Sequence, residues 1–306
     1  MRLAFAGTPE VAVPSLVALL DAGHDIAAVI TRPDAPAGRG RVLTPSPIAE
    51  FAGTRGLTIW KPERVGEIAD QLRAIDVDAV AVVAYGALIP AALLDVPRYG
   101  WINLHFSLLP AWRGAAPVQW AIIRGDDVTG ACTFRIEEGL DTGPVFGTLT
   151  RTIGPTDTAG SLLDALAVDG AQLLAQTIGA LDRLVPVPQS ADDVSHAPKL
   201  TKDDARVTWA HPAFAVDRHI RGCTPDPGAW SEVAGQRLVL GPVRLHTDVT
   251  DLGPGALRLD GHTLLVGTGT HAVALDRVKP AGRAWMAADA WWRGLRGVTG
   301  FDDATR

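Results

Sequence analysis

In the run Trp101-Ile-Asn-Leu-His-Phe-Ser-Leu-Leu-Pro110 an amide, Asn103, and an imidazole, His105, stand two positions apart. Ile102, Leu104 and Phe106 alternate with Asn103, His105 and Ser107, the pattern of an extended strand in which residues i and i+2 share a face. Asn103 and His105 therefore project together, about 7 Å apart along the strand. Pro110 ends regular pairing soon afterwards, so the pair belongs at a strand end that opens into a loop. Further along, Glu137-Glu-Gly-Leu-Asp-Thr-Gly-Pro144 is a turn-rich loop with an acid, Asp141, between two glycines. An amide, an imidazole and a carboxylate converging at the rim of a sheet suit acyl-type transfer without a metal or a nucleophilic side chain. Ser107 invites a Ser-His-Asp reading, but no G-x-S-x-G elbow surrounds it. A lone histidine is more often structural than catalytic. Its shared face with Asn103, its place at a strand end and the downstream acid are what favour the chemical reading of His105.

The elements that must position these groups follow from the apolar pattern. Residues 3–6, 26–31, 57–60 and 79–84 predict strands, and 11–22, 48–55 and 64–75 predict helices. The strand over 79–84 is apolar at every position, as in a parallel sheet covered on both faces. The Asn103 strand, a helix over 115–124, β-rich stretches over 130–136 and 144–150, and a helix over 161–184 complete a doubly wound α/β domain over residues 1–185. Gly7-Thr-Pro-Glu10, after the first strand, lacks the G-x-G-x-x-G of a dinucleotide turn, and no P-loop occurs. Nicotinamide binding is disfavoured, and Gly7 reads as a tight strand-to-helix turn.

Pro186-Val-Pro-Gln-Ser-Ala-Asp-Asp193 has the composition of an interdomain linker, here bounded at 186–205. A helix over 212–223 and short runs over 229–233, 237–240, 243–247, 256–259, 263–266 and 272–278 then predict a small β-barrel or sandwich over 206–306. No internal repeat is evident.

With 306 residues, 47% hydrophobic and 20% charged, the chain reads as a globular protein with room for two domains. No apolar run reaches the roughly 20 residues of a membrane span, and residues 2–6 open a strand rather than a signal peptide, so the cytosol is the expected compartment. Two cysteines without close spacing support neither a disulfide framework nor a zinc site. The net charge of −6 does not advertise nucleic acid, yet its distribution is uneven. Residues 277–296 carry Arg277, Lys279, Arg283, Arg293 and Arg296 against Asp289, with Trp285, Trp291 and Trp292 among them. That stretch fits either a polyanion-binding face or an amphipathic segment with core tryptophans. The loop 32–47 holds Arg32, Arg39 and Arg41 against Asp34. Flexible arginines among glycines suit phosphate contacts, on a nucleic-acid backbone or an anionic cofactor tail; a bare surface insertion is the competing reading.

With these residues in view, the chain resembles the methionyl-tRNA formyltransferases over nearly its whole length. The resemblance rests on Phe5-Ala-Gly-Thr-Pro9, Arg32-Pro-Asp-Ala-Pro-Ala-Gly-Arg-Gly40, Val82-Val-Ala-Tyr-Gly86, Ile102-Asn-Leu-His105 with Ser107-Leu-Leu-Pro110, Trp112-Arg-Gly-Ala-Ala-Pro117, Gly139-Leu-Asp-Thr-Gly143 and Lys199-Leu-Thr-Lys-Asp-Asp-Ala-Arg206. It implies a Rossmann-like domain that binds 10-formyltetrahydrofolate as co-substrate, without metal, and an OB-like domain that holds initiator methionyl-tRNA. Asn103, His105 and Asp141 are the implied catalytic set. Ser107, Leu108, Leu109, Pro110, Tyr85, Gly86 and Leu88 are the implied folate lining, and Arg39 with Arg41 the implied tRNA contacts. A cytoplasmic monomer is expected. Two positions depart from the family pattern: Phe106 replaces a usual glycine, and Cys223-Thr-Pro-Asp-Pro-Gly-Ala-Trp230 lacks a tryptophan between its prolines. Strand alternation points the Phe106 ring away from Asn103 and His105.

Two other readings compete: a folate-dependent formyltransferase acting on an amino sugar nucleotide or glycinamide ribonucleotide, and a non-enzymatic RNA- or folate-binding protein with a relic site. The arginine loop and the whole-length match oppose the first, the intact Asn/His/Asp set the second. If Arg39 meets the acceptor stem, Arg39→Ala weakens productive tRNA use and flattens its salt dependence. A kcat/KM for tRNA equal to wild type across a salt series would remove that assignment.

Overall fold

The computed structural model describes residues 1–38, 40–295 and 297–302. These form two compact units that interleave along the sequence: Met1–Pro117, Val128–Thr152 and Leu163–Ala197 in one, and Val118–Asp127, Ile153–Leu162 and Pro198–Arg306 in the other.

In the first unit, strands β1 (Arg2–Gly7), β2 (Asp25–Ile30), β3 (Ile59–Trp60), β4 (Ala79–Val83), β5 (Trp101–His105), β6 (Val128–Arg135) and β7 (Val145–Thr152) build one sheet. Their order is β3-β2-β1-β4-β5-β6-β7. The pairs from β3 through β5 are parallel, and β6 and β7 are antiparallel additions at the edge. All five residues of β4 are buried, as the uninterrupted apolar run requires of a strand covered on both faces. Strand order reverses between β1 and β4, and in doubly wound sheets the crevice beyond the carboxyl ends at such a point is where ligands bind. Gly7 closes β1 there. A Cβ on it would lie 2.8 Å from the Phe5 ring and 3.0 Å from the Val83 carbonyl, so only glycine lets the strand end turn so close to β4.

Helices α1 (Val13–Asp21), α2 (Pro47–Thr54) and α3 (Ala69–Ala74) follow β1, β2 and β3 respectively in sequence. The helix expected over 11–22 opens as a 3-10 turn at Glu10–Ala12. Ser46 caps α2 by accepting a 3.1 Å hydrogen bond from the Ala49 amide, and Pro47 starts the helix where its missing N–H costs nothing. The 32–47 loop contains a short hairpin, Ala35–Ala37 against Val42–Thr44, whose Val42 and Leu43 are exposed.

α4 (Pro117–Arg124), all but its first residue, and the start of α5 (Ala159–Gly179) group with the second unit. The sequence pattern gives no hint of this, because the cause is tertiary. Gly222, at the end of α6 (Ala213–Gly222), has no room for a Cβ, which would lie 2.5 Å from the Ile123 side chain and 2.9 Å from the Gln119 carbonyl. The Gly160 amide donates to the Thr224 carbonyl at 3.0 Å, and Arg221 donates to the Asp157 carbonyl at 2.8 Å.

Strands β8 (Trp230–Val233), β9 (Gln236–Leu240), β10 (Val243–His246), β11 (Leu257–Asp260), β12 (Thr263–Val266), β13 (Ala272–Leu275), β14 (Arg277–Pro280) and β15 (Met286–Ala287) make two antiparallel sheets, β8-β9-β14-β15 and β10-β13-β12-β11. The single strand expected over 272–278 passes from one sheet to the other. The break falls at Asp276, whose carboxylate takes a two-point contact from Arg244 at 3.1 and 2.6 Å. In the core of this unit Trp209 stacks on Phe301 with centroids 4.9 Å apart, and its indole N–H donates to the buried Ser231 hydroxyl at 3.0 Å.

Helix α7 (Ala288–Arg293) lies in the tryptophan-rich basic stretch. Trp291 is buried and Trp292 packs against the same core, while exposed Trp285 lies beneath the Arg277 guanidinium at 4.7 Å; Arg296 falls outside the described residues. Among the described residues no helix is long and apolar enough to cross a membrane.

Replacing Trp209 by Ala empties a fully buried site and strands the Ser231 hydroxyl. We expect a loss of about 3–5 kcal/mol in chemical denaturation, against about 1–3 kcal/mol for Ser231→Ala. Equal midpoints for Trp209→Ala and wild type would contradict this packing.

Candidate active site

His105 ends β5, beside the carboxyl end of β4, and is 6% exposed. The Phe134 ring lies edge-on to the imidazole with centroids 6.2 Å apart. One ring nitrogen, Nε2, is 3.0 Å from the Trp112 carbonyl oxygen. A carbonyl only accepts, so Nε2 carries the hydrogen and Nδ1 is the nitrogen left to exchange a proton. Nδ1 faces the Asp141 carboxylate, with Oδ2 at 3.9 Å, beyond a direct hydrogen bond but close enough for strong electrostatic coupling. Burial lowers the His105 pKa, while the Asp141 charge and the Trp112 carbonyl pull it back up, and the net direction is down. The imidazole is therefore neutral at pH 7. Cys132 is its partner across the β5–β6 ladder, and burial pushes that thiol up to about 12, so it offers no thiolate.

Asp141 sits at φ 51°, the left-handed region that aspartate tolerates better than most residues. Its Oδ2 accepts a 2.8 Å bond from the Gly114 amide, and Gly114 itself is at φ 124° where a Cβ would meet the Ala197 carbonyl at 2.7 Å. The peptide of Trp112 is held in turn by Ser195, whose hydroxyl accepts from the Trp112 amide at 2.9 Å. Gln189 donates to the carbonyls of Asp141 and Gly143, each at 2.8 Å, and accepts from Arg113 at 3.1 and 2.6 Å. Sequence reasoning found none of Trp112, Gly114, Gln189 or Ser195 as site residues. Gln189 and Ser195 lie within or beside the segment whose prolines mark it as a connector, and the one signal available was a solitary amide among those prolines.

Asn103 is half-buried two residues before His105, and among the described residues its side chain has no hydrogen-bond partner. Its donors are free for a ligand. Ser107 is buried and donates to the Ala111 carbonyl at 2.6 Å, shaping the turn in which Leu108, Leu109 and Pro110 are half-buried. Across the strand-order reversal the Thr8 hydroxyl donates to the Tyr85 carbonyl at 2.8 Å. The Tyr85 ring turns into the apolar core, its hydroxyl enclosed without a partner among the described residues, and burial raises its pKa. Gly86, at φ 78°, is exposed, as is Leu88 at 89%. The chain thus brings His105 and Asp141 together, leaves Asn103 open beside them, and points the Tyr85 side chain elsewhere. Arg41 lies on the exposed hairpin at φ 47°; Arg39 is outside the described residues. Among the described residues no three His, Cys, Asp or Glu side chains are placed to hold a metal ion.

The family model "Formyl transferase" matches residues 1–178, and "Formyl transferase, C-terminal domain" matches residues 199–296. A methionyl-tRNA formyltransferase of Arthrobacter sp. (strain FB24) is 58% identical over 98% of this chain and 99% of its own length. That of Thermobifida fusca is 57% identical over 97% of each. Among solved structures, the N-formyltransferase of Helicobacter canadensis with folinic acid and dTDP-3-aminofucose superposes at a TM-score of 0.68, at 17% identity over 90% of this chain and 99% of that one, a likeness of fold.

The electrostatics of the pair have a direct readout. In a 15N-histidine NMR titration His105 should titrate below 6.5, as Nδ1 gains its proton. Asp141→Asn removes the charge that favours the imidazolium, so the midpoint should move lower still. A wild-type midpoint above 6.5, or an upward move in the variant, would overturn the assignment.

Proposed function

The chain belongs to the methionyl-tRNA formyltransferase family, and from that membership we propose that it moves a formyl group from 10-formyltetrahydrofolate to the α-amino group of methionyl initiator tRNA, using Asn103, His105 and Asp141. The observation that carries the reading is the facing of His105 Nδ1 and the Asp141 carboxylate beside an Asn103 amide that has no partner among the described residues, at the carboxyl ends of the parallel strands.

An α-amino group has a pKa near 7.7–8.0, so an appreciable fraction is already neutral near pH 7. The site does not have to make a strong nucleophile. It has to stabilise charge on the formyl oxygen and move a proton. Asn103 donates an N–H to the developing oxyanion, a contribution of about 2.7–4 kcal/mol for one well-placed donor. The Nε2 hydrogen of His105 is committed to Trp112, so the imidazole acts through Nδ1. A proton leaving the amine is taken up by the Asp141–His105 pair, where each partner stabilises the form the other needs: carboxylate favours imidazolium, and imidazolium favours carboxylate. The pair then returns the proton to the departing nitrogen.

The folate supplies the formyl group. The residues around the crevice suit a flat, mostly apolar ring with polar edges. Leu108, Leu109, Pro110 and exposed Leu88 offer apolar surface, Ser107 and Gly86 offer turn backbone, and Tyr85 contributes main chain rather than its ring. Arg39 and Arg41 would engage tRNA phosphate, within a cytoplasmic, monomeric enzyme.

Asn103→Ala should lower kcat about 10²–10³-fold with tRNA affinity little changed. Unchanged single-turnover formylation in that variant would remove Asn103 from the mechanism. Labelled 10-formyltetrahydrofolate offered with charged initiator tRNA, elongator tRNA or small amines tests the acceptor; transfer to small amines in preference to initiator tRNA would overturn the assignment.

A further inference from the structure

We propose that Gln189 is a positioning residue for the His105–Asp141 pair, and that the segment through Ser195 is a strap that fixes both members at once rather than a passive connector. The proposal rests on the reading of His105 and Asp141 as the proton-handling pair.

The Gln189 amide uses its whole bonding capacity on the site. Its two N–H groups go to the carbonyls of Asp141 and Gly143, which flank Thr142 in the acid-bearing loop. Its oxygen takes two bonds from the Arg113 guanidinium. Two donors and an acceptor on one planar group are available from Gln or Asn alone, and a Glu would set an oxygen against two carbonyl oxygens. The loop needs such a hold. Asp141 has a backbone conformation that non-glycine residues seldom populate, and Gly143 lies so close to the Arg135 carbonyl that a Cβ there would overlap it. Gln189 is itself registered against the sheet: Val187 and Val145 exchange two backbone bonds, each of 2.8 Å.

The same segment reaches the histidine. Ser195 accepts from the Trp112 amide with its hydroxyl and from the Arg113 amide with its carbonyl, both at 2.9 Å. The other end of the Trp112 residue, its carbonyl, is the acceptor for His105 Nε2. One stretch of chain therefore sets the imidazole through Trp112 and the carboxylate through Asp141, and Arg113 ties the two holds together.

The test pairs single-turnover formylation with the His105 NMR titration in the full-length protein carrying Gln189→Ala, Asp141→Asn or both. Gln189→Met, which keeps most of the volume and removes the bonds, serves where the alanine variant folds poorly. Gln189→Ala should slow the reaction about 10- to 100-fold, by analogy with the loss seen when a hydrogen-bonding partner that orients a metal ligand is removed. It should also lower the His105 midpoint, because the carboxylate no longer stays beside Nδ1. The double variant should be no slower than Asp141→Asn alone, since Gln189 acts through Asp141. A wild-type midpoint and rate in both Gln189 variants, or losses that multiply in the double variant, would overturn the proposal. If Asp141→Asn turns over like wild type while Gln189→Ala still moves the midpoint, the positioning role stands and the catalytic reading of the pair falls.

Discussion

The site depends on a buried imidazole kept neutral and held by both faces of its chemistry. Burial disfavours the charged ring, and the Trp112 carbonyl consumes the one hydrogen a neutral ring carries. What remains is a single lone pair aimed at a carboxylate. The three influences do not cancel, and their imbalance matters. A ring held strongly protonated by Asp141 would have no capacity to accept a proton from an amine. Without Asp141, the same ring in the same enclosure would have little tendency to hold one. The 3.9 Å spacing lets the carboxylate moderate the burial without capturing the ring in a fixed ion pair.

That arrangement needs a place where a side chain can be enclosed and still meet a ligand, and the strand order supplies it. β5 lies beside β4 and directs its end to the same rim as the reversal between β1 and β4. His105 is the last residue of the strand, buried at its ring, while Asn103 stays half-open on the same face. The antiparallel β6 on the other side puts Phe134 against the imidazole and Cys132 opposite it. These neighbours lower the local polarity without bringing another ionised group.

Much of this was legible because it is local and periodic. Alternation around Asn103 and His105 gave the strand and its shared face; the unbroken apolar run of β4 gave the covered parallel sheet; glycines around Asp141 marked the loop. Tertiary relations were not legible. Nothing in residues 118–127 marks them as grouping with the second unit, where a distant glycine, Gly222, leaves no room for a Cβ against Gln119 and Ile123. Asp276 gives no local sign that the strand breaks there between two sheets, where its carboxylate meets an arginine on β10. The Tyr85 side chain looked available in a motif near the site, yet the turn at Ala84, φ 47°, sends it to the core and leaves its carbonyl at the rim. The segment 186–193 shows the limit most clearly, for its prolines describe a stiff chain and say nothing of what Gln189 reaches.

The proposed reaction gives the distribution of hydrogen bonds a physical rationale. A substrate amine that is already partly neutral at pH 7 requires no activated side-chain nucleophile, so the protein gains most from holding donors and acceptors in place before the reaction begins. Catalytic groups on loops are only as well placed as the loops themselves. Here the loop residue Asp141 is fixed through its side chain by Gly114 and through its carbonyl by Gln189, and Gly143 behind it is fixed by the same amide. His105, already on a strand, takes a single side-chain bond. The loop carries more holds than the strand because the strand's own ladder does that work for His105, and the acid must receive it from elsewhere in the chain.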